Sequence, residues 1–209
     1  MNRVPRVMIS STFYDLQQVR ADLVSFLVDG LGWEPLVSEL SSFPVDPDSD
    51  AVENCRRRVE SDADILVLVI GGRYGFVDSK TSRSVTNIEY LAARAKGIPI
   101  YVFIKRNVAA LLPVYRDNPE ADFSSAVDDN RLLEFARQVR NEDKVWTYEF
   151  DLANDIVQAL RRQFAYLSNR GLTLNQRLLS HGPAVYLELL SGQALRFALE
   201  QPTGWEIQL

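Results

Sequence analysis

The residues best placed to do chemistry lie in one stretch that runs from a glycine-rich turn to a carboxylate. Gly71-Gly72-Arg73-Tyr74-Gly75 follows an unbroken apolar run over residues 65–70, and Glu89 comes one turn into an amphipathic segment. Such a run predicts a strand buried on both faces, with the glycine turn at its carboxyl end. Open α/β sheets bind ligands at that edge. A carboxylate there suits cleavage of a bond to a sugar, because the transition state is cationic.

Glu89 also fits a purely structural role. Thr86-Asn87-Ile88-Glu89 matches the S/T-x-x-E capping box, in which the glutamate bonds the amide of the capping residue. In the alternative interpretation the carboxylate lies at the mouth of a cleft, where burial raises its pKa. The spacing by itself favours the cap.

The glycine turn has two interpretations as well. Its spacing is not that of the dinucleotide-binding G-x-G-x-x-G motif. The glycines allow positive φ and close approach of the backbone to a ligand, with Arg73 holding a phosphate and Tyr74 stacking on a base. Otherwise the segment is a tight turn with a surface arginine and a half-buried tyrosine.

A run of hydroxyls follows the first apolar run of the chain. Ser10-Ser11-Thr12 either bonds ligand hydroxyls or caps the following helix near Asp15. Arg20, one turn into that helix, pairs with an acid or is a plain surface arginine. Asp62 and Asp64 precede the third predicted strand, so we expect them at the opposite edge of the sheet.

Composition excludes several classes of protein. The chain has one histidine, His181, and one cysteine, Cys55, which leaves almost no material for a Ser-His-Asp triad, a metal site or a disulfide framework. We therefore expect a cytoplasmic protein with no metal and no cofactor, and with Cys55 as a small core residue. The net charge of −5 argues against general nucleic-acid binding. No apolar run approaches the ~20 residues that span a bilayer, so we expect no membrane association.

Hydrophobic periodicity predicts five strands with helices between them. The strands are expected at residues 7–9, 34–38 (an edge strand, from its proline), 65–70, 98–104 and 145–150. The helices are expected at about 16–30, 51–61, 84–97, 132–139 and 152–164. Residues 105–129 show no clear period and are expected to form a long excursion.

This alternation predicts an α/β fold: a five-stranded parallel flavodoxin-like sheet of order 2-1-3-4-5, with helices on both faces. The switch point then lies between strands one and three, so Ser10–Phe13 should face the glycine turn. We expect this domain to span residues 1–166, followed by a helical extension or linker at 167–209. The apolar content of that extension suggests a homo-oligomer or a module of a larger protein.

Three motifs resemble the domain-of-unknown-function 4062 family, over about residues 3–166: the segment from Val7 to Leu16, Gly72-Arg73-Tyr74-Gly75, and the segment from Ser84 to Tyr90. That family is TIR-like and similar in layout to nucleoside 2-deoxyribosyltransferases. In both relatives a glutamate on a helix after the third or fourth strand acts on an N-glycosidic bond. The resemblance implies that Glu89 is that residue and that the chain is a module of bacterial proteins linked to anti-phage defence.

The predicted site therefore has Glu89 as its catalytic residue. The predicted substrate-binding residues are Ser10, Ser11, Thr12, Phe13, Asp15, Gly72, Arg73, Tyr74, Ser84 and Thr86. Two functions remain open. The first is an N-glycosidase or N-ribosyl transferase that takes NAD or a nucleotide as substrate. The second is a TIR-like module that senses a nucleotide or oligomerises without turnover.

Overall fold

A computed structural model describes residues 3–181 of the chain. The strands are β1 (Arg6–Ser11), β2 (Glu34–Leu36), β3 (Ile65–Ile70), β4 (Ile100–Lys105) and β5 (Thr147–Phe150). The α-helices are α1 (Gln17–Ser25), α2 (Ala51–Ser61), α3 (Val85–Lys96), α4 (Arg106–Asp117), α5 (Arg131–Arg137) and α6 (Ala153–His181). Phe26–Gly30 and Gln138–Glu142 continue α1 and α5 as π-helical turns.

The strands form one sheet of order β2-β1-β3-β4-β5, and every neighbouring pair is parallel. This confirms the predicted flavodoxin-like arrangement, including the edge position of β2. All six residues of β3 are buried, as expected for a central strand covered by helices on both faces. In the β1–β3 register Ser10 lies beside Leu68, so both strands end at the same edge of the sheet.

Local capping signals set the ends of the two helices nearest the site. The Asp50 carboxylate accepts a hydrogen bond from the Glu53 amide, and α2 begins there. The Ser84 hydroxyl accepts one from the Asn87 amide at the start of α3. Gly97 ends α3 in the left-handed conformation, at φ 75°, which its lack of a Cβ permits.

Two predicted elements differ from the structure. β1 continues through Ser10 and Ser11, so these hydroxyls are part of the strand. Residues 105–129 are not an irregular excursion, because α4 occupies their first half. Val108, Ala109 and Leu112 bury one face of α4, although Pro113 lies inside the helix and obscures the pattern.

The chain divides into two units within α6, after Leu160. α6 itself runs without interruption for 29 residues, so the predicted extension is helical as far as His181. The predicted boundary at residue 166 stays a prediction. The rest of the predicted extension, 182–209, lies outside the described residues, as does the side chain of His181. Within residues 3–181, no helix combines the length and apolarity needed to cross a bilayer.

Candidate active site

A cavity of about 620 Å³ opens at the carboxyl ends of β1 and β3, where the strand order reverses. This is the position at which doubly wound sheets bind their ligands. Its wall comes from the end of β1, the start of α2, the β3–α3 turn and the first turns of α3. The polar and aromatic lining residues are Ser11, Thr12, Phe13, Tyr14, Arg20, Ser38, Cys55, Arg73, Phe76, Thr86, Glu89 and Asp128.

Glu89 lies in the wall of this cavity and does not cap its helix. Its side chain is 5% exposed, and its Oε2 accepts a hydrogen bond of 2.5 Å from the Ser10 hydroxyl. The capping-box interpretation is therefore wrong. The helix starts at Ser84 instead of Thr86, which moves Glu89 beyond the third helical position from which a glutamate reaches the cap.

Burial raises the pKa of Glu89 to about 7. The Ser10 hydrogen bond, the positive charge of Arg20 and the Cys55 thiol act in the opposite direction, while the charge of Glu39 adds to the increase. At neutral pH the group is thus divided between carboxylate and acid. It can stabilise a positive charge in one form and donate a proton in the other.

Cys55 contacts the same carboxylate from α2. It packs partly against the hydrophobic core, as its position in the apolar stripe predicts, but it also lines the cavity. Burial, followed by the neighbouring charge of Glu89, raises the pKa of the thiol to about 12. A thiol with so high a pKa is not a nucleophile at neutral pH.

The glycine turn is shaped by its contacts with the segment after β1. A Cβ on Gly71 would lie 2.3 Å from Asp15 Oδ2, and one on Gly75 would lie 2.7 Å from Thr12 Cγ2. Asp15 does not cap α1. Its Oδ2 accepts a hydrogen bond from the Gly72 amide, and its Oδ1 accepts one from Thr12 Oγ1. Asp15 therefore ties the two halves of the cavity wall together.

The structure separates the predicted substrate-binding residues into two groups. Ser11, Thr12, Phe13, Arg73 and Thr86 line the cavity together with Glu89. Five others do not line it: Ser10, Asp15, Gly72, Tyr74 and Ser84. Ser10 is fully buried behind Glu89, and Ser84 is the buried cap of α3.

Tyr74 packs in the hydrophobic core and does not line this cavity, so its predicted stacking on a base stays a prediction. Its ring is buried, and the Arg131 guanidinium lies 5.0 Å from the ring centroid. Its amide donates a hydrogen bond to Asp128 Oδ1, and the Asp128 amide donates one to the Gly72 carbonyl. The segment around Asp128 thus packs onto the turn and encloses the tyrosine.

Arg20 is not a surface residue. Its side chain is buried and forms a two-point ion pair with Glu39, with N–O distances of 2.5 and 2.6 Å. Its Nη1 also donates to the Ser11 hydroxyl and to the carbonyls of Ile9 and Ser11. The sequence carried a signal for this, because Arg20 falls between Leu16 and Leu23 on the apolar face of α1.

Arg73 keeps most of its hydrogen-bonding capacity. Its nearest charged partner is Asp128, at 3.6 Å from Nε, and within residues 3–181 its guanidinium donates no hydrogen bond. The group lies 5.8 Å from the ring centroid of Tyr14. A cation with free donors at the edge of a cavity is suited to bind phosphate.

Among the described residues, no group of three His, Cys, Asp or Glu side chains is arranged to hold a metal ion. Asp62 and Asp64 lie at the other edge of the sheet, as predicted, where they pair with Arg6 and Arg3.

Comparison with known proteins identifies the family of the chain. No curated protein matches the chain significantly. A family model described as "Domain of unknown function (DUF4062)" matches residues 6–165, which include the whole sheet and every residue of the cavity wall. The chain therefore belongs to the DUF4062 family.

Proposed function

We propose that the protein is an N-glycosidase that acts on NAD or another nucleotide, with Glu89 as the catalytic residue. The observation that carries the proposal is the position of the Glu89 carboxylate. It lies in the wall of a cavity at the switch point of the sheet and is bonded by Ser10 instead of by its own helix end.

The chemistry follows from the charge that develops during cleavage. As the bond from the sugar C1′ to the base nitrogen breaks, its electron pair leaves with the base and the sugar becomes an oxocarbenium-like cation. A buried carboxylate next to C1′ stabilises that cation strongly, because little water screens the interaction. A water molecule then attacks C1′, and its proton passes to Glu89 or to the departing base.

The carboxylates of the site favour a mechanism with one acid. A retaining mechanism uses two carboxyl groups about 5 Å apart. Asp15 accepts hydrogen bonds from Thr12 and the Gly72 amide and does not line the cavity. Asp128 lines the cavity, but it accepts from the Tyr74 amide and pairs with Arg73. Glu89 thus acts alone in this proposal.

Incubation of the purified protein with NAD and with nucleosides, followed by chromatographic detection of the released base, tests the proposal. Glu89→Gln and Glu89→Ala should lower base release by about 10²–10³-fold, the usual effect of removing one transition-state contact. Glu60→Gln, an exposed glutamate on α2, is the matched control and should retain full activity. No release by wild-type protein, or equal release by all variants, would refute the proposal.

A second function is favoured by the burial of the same group. With 5% exposure and contacts to Ser10 and Cys55, Glu89 is largely occluded. A module that senses a nucleotide without turning it over needs the cavity but not an accessible acid. In that case nucleotide binding, measured by calorimetry, should survive Glu89→Gln and no base should be released.

A further inference from the structure

Two large aromatic side chains stand exposed at the mouth of the cavity. Tyr14 is 77% exposed and Phe76 is 71% exposed, and both line the cavity together with Arg73. We call Tyr14 and Phe76 the aromatic rim. Single exposed apolar side chains are common on protein surfaces, but a group of them beside a cavity indicates a binding surface.

Contacts within the chain hold the backbone at Phe76 and the ring of Tyr14. The Phe76 carbonyl accepts a hydrogen bond of 3.0 Å from the Val85 amide, which fixes Phe76 to the start of α3. The Tyr14 ring packs edge-to-face against Phe13, with 5.7 Å between the ring centroids. A ring that already packs on a neighbour, as Tyr14 does, loses less conformational freedom when a planar group stacks on it.

Arg73 lies next to both the rim and the cavity and supplies a positive charge there. It lines the cavity and also lies near the Tyr14 ring, whereas the other arginine of the wall, Arg20, is saturated by Glu39 and Ser11. Because the Arg73 guanidinium donates no hydrogen bond within residues 3–181, its donors mark where an anionic group would pass from the cavity to the rim.

We propose that the aromatic rim is a second subsite, which binds a planar base joined through phosphate to the sugar in the cavity. The identity of the group in the cavity rests on the proposed function. The preferred ligand class is then a dinucleotide, with one sugar beside Glu89, the bridging phosphates at Arg73 and the second base on Tyr14 and Phe76. A nucleoside or mononucleotide would leave the rim unoccupied.

Calorimetric titration of the Glu89→Gln protein with ADP-ribose, ribose 5-phosphate and adenosine tests this subsite without turnover. ADP-ribose should bind at least tenfold more tightly than ribose 5-phosphate. Tyr14→Ala and Phe76→Ala should each weaken the binding of ADP-ribose by about tenfold, the usual effect of losing one base-stacking ring. The affinity for ribose 5-phosphate should stay unchanged. Trp146→Ala, which removes another ring that is 77% exposed but does not line the cavity, should change neither affinity.

Two results would overturn the subsite. One is that the protein binds ADP-ribose and ribose 5-phosphate with equal affinity, or that Tyr14→Ala and Phe76→Ala leave the ratio of the two affinities unchanged. The other is self-association in analytical ultracentrifugation that the double variant abolishes, which would make the rim a contact between copies of the chain. Because the titrations need no catalysis, a failure of NAD cleavage does not count against the subsite.

Discussion

The Ser10 hydroxyl donates a hydrogen bond of 2.5 Å to the carboxylate of Glu89, although 79 residues separate them in the chain. Ser10 is fully buried in β1, and Glu89 lies on the inner face of α3. The contact holds the carboxylate against β1 at the wall of the cavity and supports its ionised form. We propose that Ser10 acts through Glu89 as a positioning residue, while its predicted direct contact with substrate stays a prediction.

Glu89→Gln should stabilise the protein at alkaline pH. Burial raises the pKa of Glu89 from 4.5 to about 7. Between pH 4.5 and 7, the native state therefore holds a proton on Glu89 that the unfolded chain has lost. The stability that this proton confers is present below pH 4.5 and is lost as the pH rises through 7. At about 1.4 kcal/mol per pKa unit, the free energy of unfolding of the variant relative to wild type should rise by about 3 kcal/mol across this window.

Urea denaturation of both proteins at pH 4.5, 6, 7 and 8.5 measures the difference. Other titrating groups cancel in the comparison, because they are present in both proteins. A difference that stays constant across this range would show that Glu89 titrates near its ordinary value.

Ser10→Ala should raise the pKa of Glu89 further. The variant removes the hydrogen bond that favours the charged form and leaves the burial of the carboxyl group in place. Glu89 should then titrate above pH 7. NMR titration of the side-chain carboxyl carbon in ¹³C-glutamate-labelled protein, with Glu89→Gln for assignment, measures the shift. An unchanged or lower midpoint would contradict the positioning role.

Glu39→Gln should move the same midpoint in the opposite direction. Glu39 raises the pKa of Glu89 through its negative charge and balances Arg20, whose positive charge lowers it. The amide keeps the shape of Glu39 but removes its charge, so Arg20 acts on Glu89 uncompensated. The same NMR titration should place the midpoint below that of wild type. A general loosening of the fold would not move the Glu89 midpoint in opposite directions in Ser10→Ala and Glu39→Gln. The two variants together therefore distinguish an electrostatic effect from a structural perturbation.

The sheet order could be predicted because each element carries its own local pattern. The unbroken apolar run of β3 and the capped, amphipathic α3 need no distant information. Strand–helix alternation then restricts the topology, since parallel strands require crossover connections. The edge at which the site lies follows directly from that topology.

The orientation of individual side chains could not be predicted, because distant residues decide it. Glu89 bonds to Ser10 of β1, which lies behind it, and not to its own helix end. Tyr74 is held in the core by contacts with Asp128 and Arg131. No local sequence pattern predicts that this distant segment packs on the glycine turn. Arg20 is different: a cation between Leu16 and Leu23 on an apolar face is itself a signal of a buried ion pair.

Gly75→Ala should destabilise the protein more than Gly97→Ala does. Both glycines have positive φ, 85° and 75°, so the conformational cost of a Cβ is similar, about 1 kcal/mol. A Cβ at position 97 would have no neighbour within 4 Å, whereas one at position 75 would lie 2.7 Å from Thr12 Cγ2. We expect Gly75→Ala to cost at least a further 1 kcal/mol, as overpacking does.

Thr12→Ser distinguishes this clash from a general intolerance of the turn. The serine removes Cγ2 and keeps the hydroxyl that donates to Asp15. In a double-mutant cycle measured by thermal unfolding, Thr12→Ser should therefore recover most of the extra cost of Gly75→Ala while leaving Gly97→Ala unaffected. Additive effects of the two substitutions would mean that Thr12 and the turn do not touch, and the wall of the cavity would then have a different shape from the one described.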